Sequence, residues 1–576
     1  MKLRIFPLLL FVVGLFQVAS LRGWAASNKE LKYQPVKSSY EKIKNVKKGG
    51  TLYLDIASNP KVINPILSND NVSSGMEGFL WATLFTEDGE TLNPLPYLAE
   101  TYTISPDRKS YTFVLNKNAK WEDGSSVTTQ DVQFTFDTIM NPKTQAAAQR
   151  SYWSGVALKL NDEHSFTFTV ETPKFDTLRT LYLLQVIQKK QFEHEADFNQ
   201  AKGIMNPIGN GPYRLKKFSR DQKVELERNK VWWGNQLPYF KNRYNSDLVV
   251  LRVIPDPNLA YERFLKGELD IYTFAGPGLE IYAKKVLGSD KARFANKSGL
   301  GKPWTKVVKN NAPRGFTYVG WNLRKNIFSS KKTRQALAHL VDIKDIVEKV
   351  YYGYAVQSTS PFGSLTMNSD EKLRASDRLF NFDVKQAIKL LRADGWADQD
   401  GDNVVEKEFN GVRVPFRFEL KYNSNNAARG KMAQILKENF RKAGIDVSIR
   451  SMEWNAFLTD LDKREFDAVV LGWTATPYPN PKQIWHSDSE KDQGSNFIGF
   501  KNAKVDELIE VANLEMDLKK RSVTLKEIND ILYDEQPYLW LVEPSSMVAG
   551  FGTKVKGSVW AMEYDVSPPF DIYWFE

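Results

Sequence analysis

The fold is decided by residues 416–473, which read FRFELKYNSNNAARGKMAQILKENFRKAGIDVSIRSMEWNAFLTDLDKREFDAVVLGW. Apolar residues alternate with polar ones around Phe418 and again around Val447, and an apolar run ends at Leu471, which predicts three β-strands. Between the first two strands, apolar side chains recur at the spacing of one helical face; they are Met432, Ile435, Leu436 and Phe440. A second helix is predicted around residues 455–463. The order is therefore β-α-β-α-β, and we expect parallel strands joined by right-handed crossovers.

A binding crevice follows from this topology, because ligands of parallel α/β sheets bind beyond the carboxyl ends of the strands. Gly472 and Trp473 come directly after the last predicted strand. We therefore expect the indole of Trp473 to lie in that crevice. Three prolines stiffen the loop that follows it; they are Pro477, Pro479 and Pro481.

Similar patterns outside this stretch predict a mixed α/β protein of several domains. Asp383 and Thr128 are each expected to cap a helix, and residues 49–54 to open a strand. Alternation at Tyr111, Phe113 and Leu115 predicts a hairpin strand, and residues 164–170 predict another. At roughly 150 residues per domain, the 576 residues correspond to two to four domains.

The first 26 residues have the pattern of a secretory signal peptide. A positively charged start precedes an apolar run of 15 residues from Ile5 to Ala19, and small residues follow at Ala25 and Ala26. The run is too short to cross a bilayer as a helix, so we expect cleavage of residues 1–26, with an uncleaved anchor as the alternative. A lipoprotein needs a cysteine at its cleavage site, and the sequence contains none. We therefore expect a free periplasmic protein that is not lipidated.

Composition excludes several classes of function. Without cysteine there is no thiolate nucleophile and no cysteine metal site. The four histidines are scattered and no Gly-x-Ser-x-Gly elbow occurs, so we predict neither a metal site of histidines nor a catalytic site. Removal of residues 1–26 leaves 76 basic against 69 acidic side chains, a net charge of +7, and the two signs are interleaved. This favours a solvated surface and argues against a nucleic-acid partner.

One acidic cluster resembles the start of a calcium-binding loop. Asp398, Asp400 and Asp402 alternate, but an EF-hand loop also needs glycine at its sixth position and glutamate at its twelfth. Those positions hold Asn403 and Phe409. We interpret the cluster as a polar turn between a helix and a strand, with a weak calcium site as the alternative.

A series of short motifs runs through residues 49–576, and the densest block is 98–132. That block contains Leu98-Ala99-Glu100, Ile104-Ser105-Pro106-Asp107, Trp121-Glu122-Asp123-Gly124 and Asp131-Val132. The others include Gly209-Asn210-Gly211-Pro212-Tyr213, Trp232-Trp233, Gly267-Glu268-Leu269-Asp270, Trp321-Asn322-Leu323, Arg334-Gln335-Ala336-Leu337 and Gly395-Trp396. With these motifs in this order, the chain resembles the family 5 extracellular solute-binding proteins, the oligopeptide- and dipeptide-binding group.

The resemblance implies an α/β, two-lobed periplasmic binding protein fold with a hinge and an extra subdomain. Lobe one would take residues 49–84, 205–314 and 543–576, the extra subdomain 85–204, and lobe two 315–542. The ligand would be trapped between the lobes, and the closed form would dock on the permease of an ABC importer. The resemblance thus implies a monomer that binds peptides, needs no cofactor and is not an enzyme.

The resemblance also nominates eight ligand-binding residues. The segment after Asn64-Pro65 enters the cleft in the family, and two tryptophans match aromatic positions that contact ligand; the loop after the second completes the set. The nominated residues are Asn69, Asp70, Asn71, Trp454, Trp473, Thr474, Thr476 and Tyr478. By contrast, we expect Trp121 and Asp123 to be structural.

At two positions the sequence departs from the family pattern for binding the free termini of a peptide. Peptide binders usually carry an aspartate for the ligand's amine in the loop after Gly-Trp, and this place holds Thr476. Some also carry an arginine for a ligand carboxylate three residues before that tryptophan, and this place holds Val470. Asp70 and Asp488 are the candidate substitutes for the missing aspartate. An oligosaccharide or another polar ligand stacked on tryptophan is therefore one alternative, and a peptide chaperone is a second.

Overall fold

The computed structural model describes residues 30–276, 278–312, 314–362, 379–565 and 568–575. The predicted signal peptide, residues 1–26, lies outside the described residues. Helices and strands alternate through the chain as expected for the predicted α/β class. Within the described ranges, no helix is both long enough and apolar enough to cross a membrane.

An antiparallel sheet of five strands forms the core of the extra subdomain. Its inner strands bury Phe113, Phe166 and Phe168, as the alternating pattern predicts. One edge strand comes from the polar segment that precedes lobe one, so this segment is part of the fold. In spatial order the strands are Leu31–Lys32, Ala99–Ile104, Ser110–Leu115, Ser165–Val170 and Val156–Leu160. The helices are Thr129–Met140, Ala147–Trp153, Thr177–Tyr182 and Lys189–Phe192.

The predicted cap at Thr128 is present at the start of the first of these helices. The Thr128 backbone N–H donates to Asp131 Oδ2 over 3.0 Å, which closes a capping box. The indole Nε1–H of Trp121 donates to the same oxygen over 3.3 Å. Trp121 and Asp131 are both buried, so this part of the signature block holds the subdomain together.

Two sheets form lobe one, and they are assembled from separated stretches of chain. Thr51–Ile56 pairs in parallel with Leu248–Val253, and that sheet continues with Lys223–Arg228 and Tyr213–Ser219. In the other sheet a strand near the C-terminus lies between two earlier ones; the order is Ile271–Thr273, Met547–Phe551 and Trp304–Val308. The helices are Asn71–Leu80, Pro257–Leu265, Gly278–Ile281 and the π-helix Tyr282–Ser289.

The predicted β-α-β-α-β stretch forms three adjacent strands of the five-stranded sheet of lobe two, from one edge to the middle. Arg417–Asn423 lies between Asp446–Met452 and Ala468–Trp473 and is parallel to both. The connecting helices are Ala427–Arg441 and Trp454–Lys463, so this prediction is confirmed. The sheet is mixed, because the next strand, Phe316–Trp321, is antiparallel to Ala468–Trp473. The edge strand Tyr538–Trp540 is in turn antiparallel to Phe316–Trp321.

Lobe two surrounds this sheet with further helices and short strand pairs. Asp383 caps a helix as predicted, and its side chain accepts from the Gln386 N–H. The helices are Asn326–Ser329, Lys331–Ala338, Ile343–Lys349, Val384–Ala393, Lys482–Trp485, Ala503–Leu514 and Leu518–Glu535. Among the described residues of the chain, the two-stranded sheets are Phe85–Glu87 with Pro94–Pro96, Ala355–Gln357 with Val542–Pro544, Glu406–Phe409 with Val412–Pro415, and Val555–Lys556 with Trp574–Phe575. Short 3-10 helices span Ser39–Lys42, Phe198–Gln200, Lys202–Ile204, Trp233–Gln236, Pro238–Phe240, Lys291–Arg293, Ser487–Gln493 and Phe570–Ile572.

Buried apolar side chains form three clusters. One packs the extra subdomain against lobe one, and one packs the last two long helices against the lobe-two sheet. The remaining cluster joins Phe264 and Tyr272 of lobe one to Trp321 and Phe418 of lobe two. The lobes are therefore connected by packed side chains as well as by the crossing chain.

Candidate ligand-binding cavity

A cavity of about 610 Å³ lies between lobe two and the other two parts of the molecule. This volume is within the range of about 300–1,000 Å³ that small-molecule sites occupy. The cavity wall includes all eight residues nominated from the sequence: Asn69, Asp70, Asn71, Trp454, Trp473, Thr474, Thr476 and Tyr478. The structure brings them together from three distant segments of chain. That they contact a ligand stays a prediction.

Trp473 stands at the end of a strand of the lobe-two sheet. The prediction that this strand ends before Gly472 is wrong, because Gly472 and Trp473 still pair with Thr317 and Phe316 of the neighbouring antiparallel strand. The Trp473 Nε1–H donates to the Tyr538 hydroxyl over 3.1 Å. The indole also lies parallel to the Phe497 ring, with 5.7 Å between centroids. These contacts fix the orientation of the half-buried indole in the cavity wall.

Trp454 opens the helix that follows the strand Asp446–Met452. Glu453 caps this helix by accepting from the N–H groups of Asn455 and Ala456. The Trp454 Nε1 atom is buried, and the described residues offer it no hydrogen-bond partner. Its position follows from the topology, since the start of a helix after a parallel strand lies at the ligand-binding edge of the sheet.

The loop after Trp473 forms one rim of the cavity. Thr474 and Thr476 are exposed and Tyr478 is half-buried. Burial raises the pKa of the Tyr478 hydroxyl, which stays protonated at neutral pH. The base of the loop is held by Arg521, whose Nη2–H donates to the Pro479 carbonyl oxygen over 2.5 Å.

Asp70 lines the cavity, but its carboxylate accepts hydrogen bonds from the first turn of the helix that it caps. Oδ1 accepts from the N–H groups of Val72 and Ser73 over 2.9 and 3.1 Å, and Oδ2 accepts from the Ser73 hydroxyl over 2.6 Å. Asp70 is 6% exposed. Its neighbours Asn69 and Asn71 are exposed. The role of Asp70 in the structure is therefore that of a helix N-cap.

Asp488, the other candidate substitute for the missing aspartate, is absent from the described wall of this cavity. It is an exposed residue that pairs with Lys491 over 2.6 Å. Its described contact is therefore a surface ion pair, and a role in holding a ligand amine stays a prediction.

Other residues of the cavity wall were missed by the sequence analysis. The extra subdomain contributes Tyr152, Asp176 and Arg179, and lobe two contributes Arg429 and Phe497. The topological rule that nominated Trp473 could have found Arg429, because the helix carrying it begins just after the carboxyl end of the strand Arg417–Asn423. No local sequence pattern predicts that the three residues of the extra subdomain line the cavity, because only the folding of the whole chain brings them to this wall.

Direct polar contacts bridge the two sides of the cavity. The Tyr152 O–H donates to Gln483 Oε1, and Asn480 Nδ2–H donates to Asp176 Oδ2, each over 2.8 Å. Lys61 of lobe one pairs with Asp462 of lobe two over 3.2 Å. The described conformation therefore has its lobes in contact around the cavity.

The acidic cluster after the helix Val384–Ala393 lies elsewhere. The carboxylates of Asp398, Asp400, Asp402 and Glu406 lie within 4.8 Å of one another. Backbone N–H groups of the same turn donate to all four, and Arg417 pairs with Asp402 over 2.6 Å. These contacts are those of a polar turn between a helix and a strand.

Two lobes with a cavity between them, and with polar contacts between its two sides, are the architecture of a protein that binds a small solute between its lobes. The family described as bacterial extracellular solute-binding proteins, family 5 middle, matches residues 93–495. The chain therefore belongs to the family 5 bacterial extracellular solute-binding proteins.

Relatives and solved structures agree with this assignment. The oligopeptide-binding protein AppA of Bacillus subtilis is 28% identical over 512 residues, which cover 87% of each chain. The dipeptide-binding protein of Escherichia coli is 24% identical and covers 81% of this chain and 84% of its own. The structure of B. subtilis AppA with a nonapeptide has a TM-score of 0.81 at 25% identity, covering 92% of this chain and all of the other. The two-lobed fold expected from the sequence is thus confirmed.

Proposed function

We propose that this protein captures peptides between its lobes and delivers them to the permease of an ABC importer. The observation that carries the proposal is the cavity of about 610 Å³ enclosed by both lobes and the extra subdomain. The relatives named as oligopeptide- and dipeptide-binding proteins support the choice of ligand.

The contacts across the cavity give this capture a mechanism. A ligand that contacts both lobes stabilises the closed form relative to the open one, since only the closed form provides both sets of contacts. The Lys61–Asp462 pair and the Asn480–Asp176 hydrogen bond then add to closure. A peptide would be held largely through its main chain, as an added strand, so that many side chains are accepted.

Capture and delivery require no reaction on the ligand, so the proposed protein is not an enzyme and needs no cofactor. In the same proposal residues 1–26 direct secretion and are removed, and the absence of cysteine leaves the mature chain without a lipid anchor. It would then diffuse in the periplasm and reach the permease as a monomer.

A polar ligand without peptide bonds, such as an oligosaccharide, is the second candidate. The observation that favours it is that two of the four tryptophans in the described wall, Trp454 and Trp473, are partly exposed. Flat indole faces stack on sugar rings without any ion pair.

Native mass spectrometry of the freshly purified protein tests the choice between these ligands. We expect added masses that fragment into amino acids. A single added mass that fragments into hexose or other non-peptide units would favour the second candidate and count against peptide capture.

A further inference from the structure

Arg429 stands just beyond the carboxyl end of the strand Arg417–Asn423, which is the second strand of the lobe-two sheet counted from its Asp446–Met452 edge. It is the third residue of the helix Ala427–Arg441, which follows the strand Arg417–Asn423, and it lines the cavity. Its Nη1–H donates to Asn423 Oδ1 over 2.6 Å. This hydrogen bond anchors the guanidinium at the edge of the sheet where ligands of such folds bind.

The neighbouring strand leaves room for the guanidinium. A Cβ atom built on Gly472 would lie 3.5 Å from Arg429 Nη2 and 3.0 Å from the Phe316 carbonyl oxygen. Arg429 Nη2 therefore lies in van der Waals range of the strand that carries Trp473. Arg429 and the nominated Trp473 thus share one corner of the cavity.

No described carboxylate forms an ion pair with Arg429, whereas the other charged residues of the wall all have partners. Arg179 pairs with Glu87 over 2.7 Å and Asp462 with Lys61 over 3.2 Å. Asp70 caps its own helix, and Asp176 accepts from Asn480. Of the two arginines in the described wall, Arg429 is therefore the one without a carboxylate partner, and its described hydrogen bond goes to the amide oxygen of Asn423.

The surroundings of Arg429 make an unpaired charge costly. The neighbouring side chains include Tyr318 and Tyr351, both buried, and burial lowers the pKa of the guanidinium. Removing a cation from water without a counter-charge is unfavourable, and this cost is offset when an anion arrives with its own hydrogen-bond acceptors. The guanidinium fork matches the two oxygens of a carboxylate.

Two indole N–H groups of the same wall also have no partner among the described residues. They are Nε1 of Trp454 and Nε1 of Trp485. Both nitrogens are buried, so their N–H groups do not face a ligand, whereas the partly exposed Arg429 lines the cavity.

We propose that Arg429 binds a carboxylate of the ligand and determines specificity for it. For a peptide the carboxylate is the free C-terminus or an acidic side chain, and recognition depends on this negative end and not on the amine. The inference rests on the proposed peptide capture, and it says which charged group of the peptide that same site recognises.

A peptide library tests this assignment without knowledge of the preferred sequence. Ligand-stripped protein is mixed with random pentapeptides lacking aspartate and glutamate, half as free acids and half as C-terminal amides, and the retained peptides are counted by mass spectrometry. We expect free acids to exceed amides by about tenfold or more, because charge-assisted hydrogen bonds are roughly twice as strong as neutral ones. A parallel amidated library containing glutamate distinguishes a side-chain carboxylate from the C-terminus, since its retention identifies the side chain as the source.

Variants assign the preference to Arg429. In Arg429→Gln we expect the ratio of acids to amides to fall close to one, and in Arg429→Lys to stay above one but below the wild-type ratio. Arg441→Gln is the matched control, because Arg441 is an exposed arginine on the same helix, and it should keep the wild-type ratio.

Failure of this inference differs from failure of the proposed function. Equal retention of acids, amides and acidic amides by the wild type, or an unchanged preference in Arg429→Gln, overturns the role of Arg429 and leaves peptide capture standing. Retention of no peptide from any library contradicts peptide capture itself. The wild-type arms decide the first question even if Arg429→Gln does not fold.

Discussion

The two walls of the cavity differ in whether the arginine on each wall has a carboxylate partner. On the wall formed by lobe one and the extra subdomain, the Asp70 carboxylate caps its own helix and Arg179 forms an ion pair with Glu87. On the lobe-two wall, the half-buried Arg429 lies beside the buried Tyr318 and Tyr351 and has one amide oxygen as its described partner. A charged side chain near a ligand contributes to recognition only when the protein leaves it unpaired. The hydrogen bonds and ion pairs of a charged side chain therefore indicate better than its position in the wall whether it can bind a ligand.

The largest effect is expected from removing the unpaired charge. We expect Arg429→Gln to weaken binding of a retained free-acid peptide by about 10- to 100-fold, the range that a charge-assisted hydrogen bond of roughly 1.5–3 kcal/mol gives. The ligand-free variant should melt no lower than the wild type, because no ion pair is lost and a buried charge is removed. Calorimetric titration and thermal unfolding measure the two quantities. A large fall in melting temperature would instead make Arg429 a structural residue.

The next effect is expected at Trp473, on the same wall. We expect Trp473→Ala to weaken binding by about tenfold and to lower the free energy of unfolding by about 1–2 kcal/mol, since the indole is half-buried against Phe497. Trp473→Phe keeps a ring in the stack and loses only the hydrogen bond to Tyr538, so it should retain most of the affinity. Unaltered affinity in Trp473→Ala, together with a fall of 3–5 kcal/mol or so in stability, would assign Trp473 to the core.

On the opposite wall, Asp70 should affect stability and leave affinity almost unchanged. Asp70→Ala removes an N-cap, which costs about 1 kcal/mol, whereas Asp70→Asn keeps a good cap without the charge. We expect Asp70→Ala to unfold at lower denaturant concentration and both variants to bind within about threefold of the wild type. A loss of affinity in Asp70→Asn would mean that Asp70 pairs with a ligand amine after all.

The smallest effect is expected from blocking the ligand's amine. Thr476 stands where peptide binders carry an aspartate, and its hydroxyl offers no net charge. N-acetylated and free-amine versions of one bound peptide should therefore differ by less than about tenfold, or roughly 1.4 kcal/mol, in calorimetry at pH 7. If acetylation abolishes binding, Asp176 is the next carboxylate of the wall to substitute.

The sequence predicted the lobe-two sheet well because its signals are local. Helical spacing at Met432 to Phe440 and the cap at Asp383 each act within one element, and both elements form as predicted. The end of the last strand was misplaced, since the pairing of Gly472 with Thr317 is a contact between distant parts of the chain.

The sequence predicted residues that line the cavity, but it did not predict which charged side chains of the wall are paired. A family resemblance nominated eight residues that all line the cavity, although their contact with ligand stays a prediction. Whether a charge is paired depends on neighbours such as Glu87 for Arg179, which no local pattern contains. The lobe boundaries inferred from the resemblance likewise stay predictions.

Small-angle X-ray scattering of the ligand-stripped protein, with and without a saturating retained peptide, tests capture between the lobes most directly. Closure about the hinge brings lobe two onto the other parts of the molecule, so the radius of gyration should fall when peptide binds. A radius that does not change while calorimetry records full occupancy would contradict closure of the lobes on the ligand.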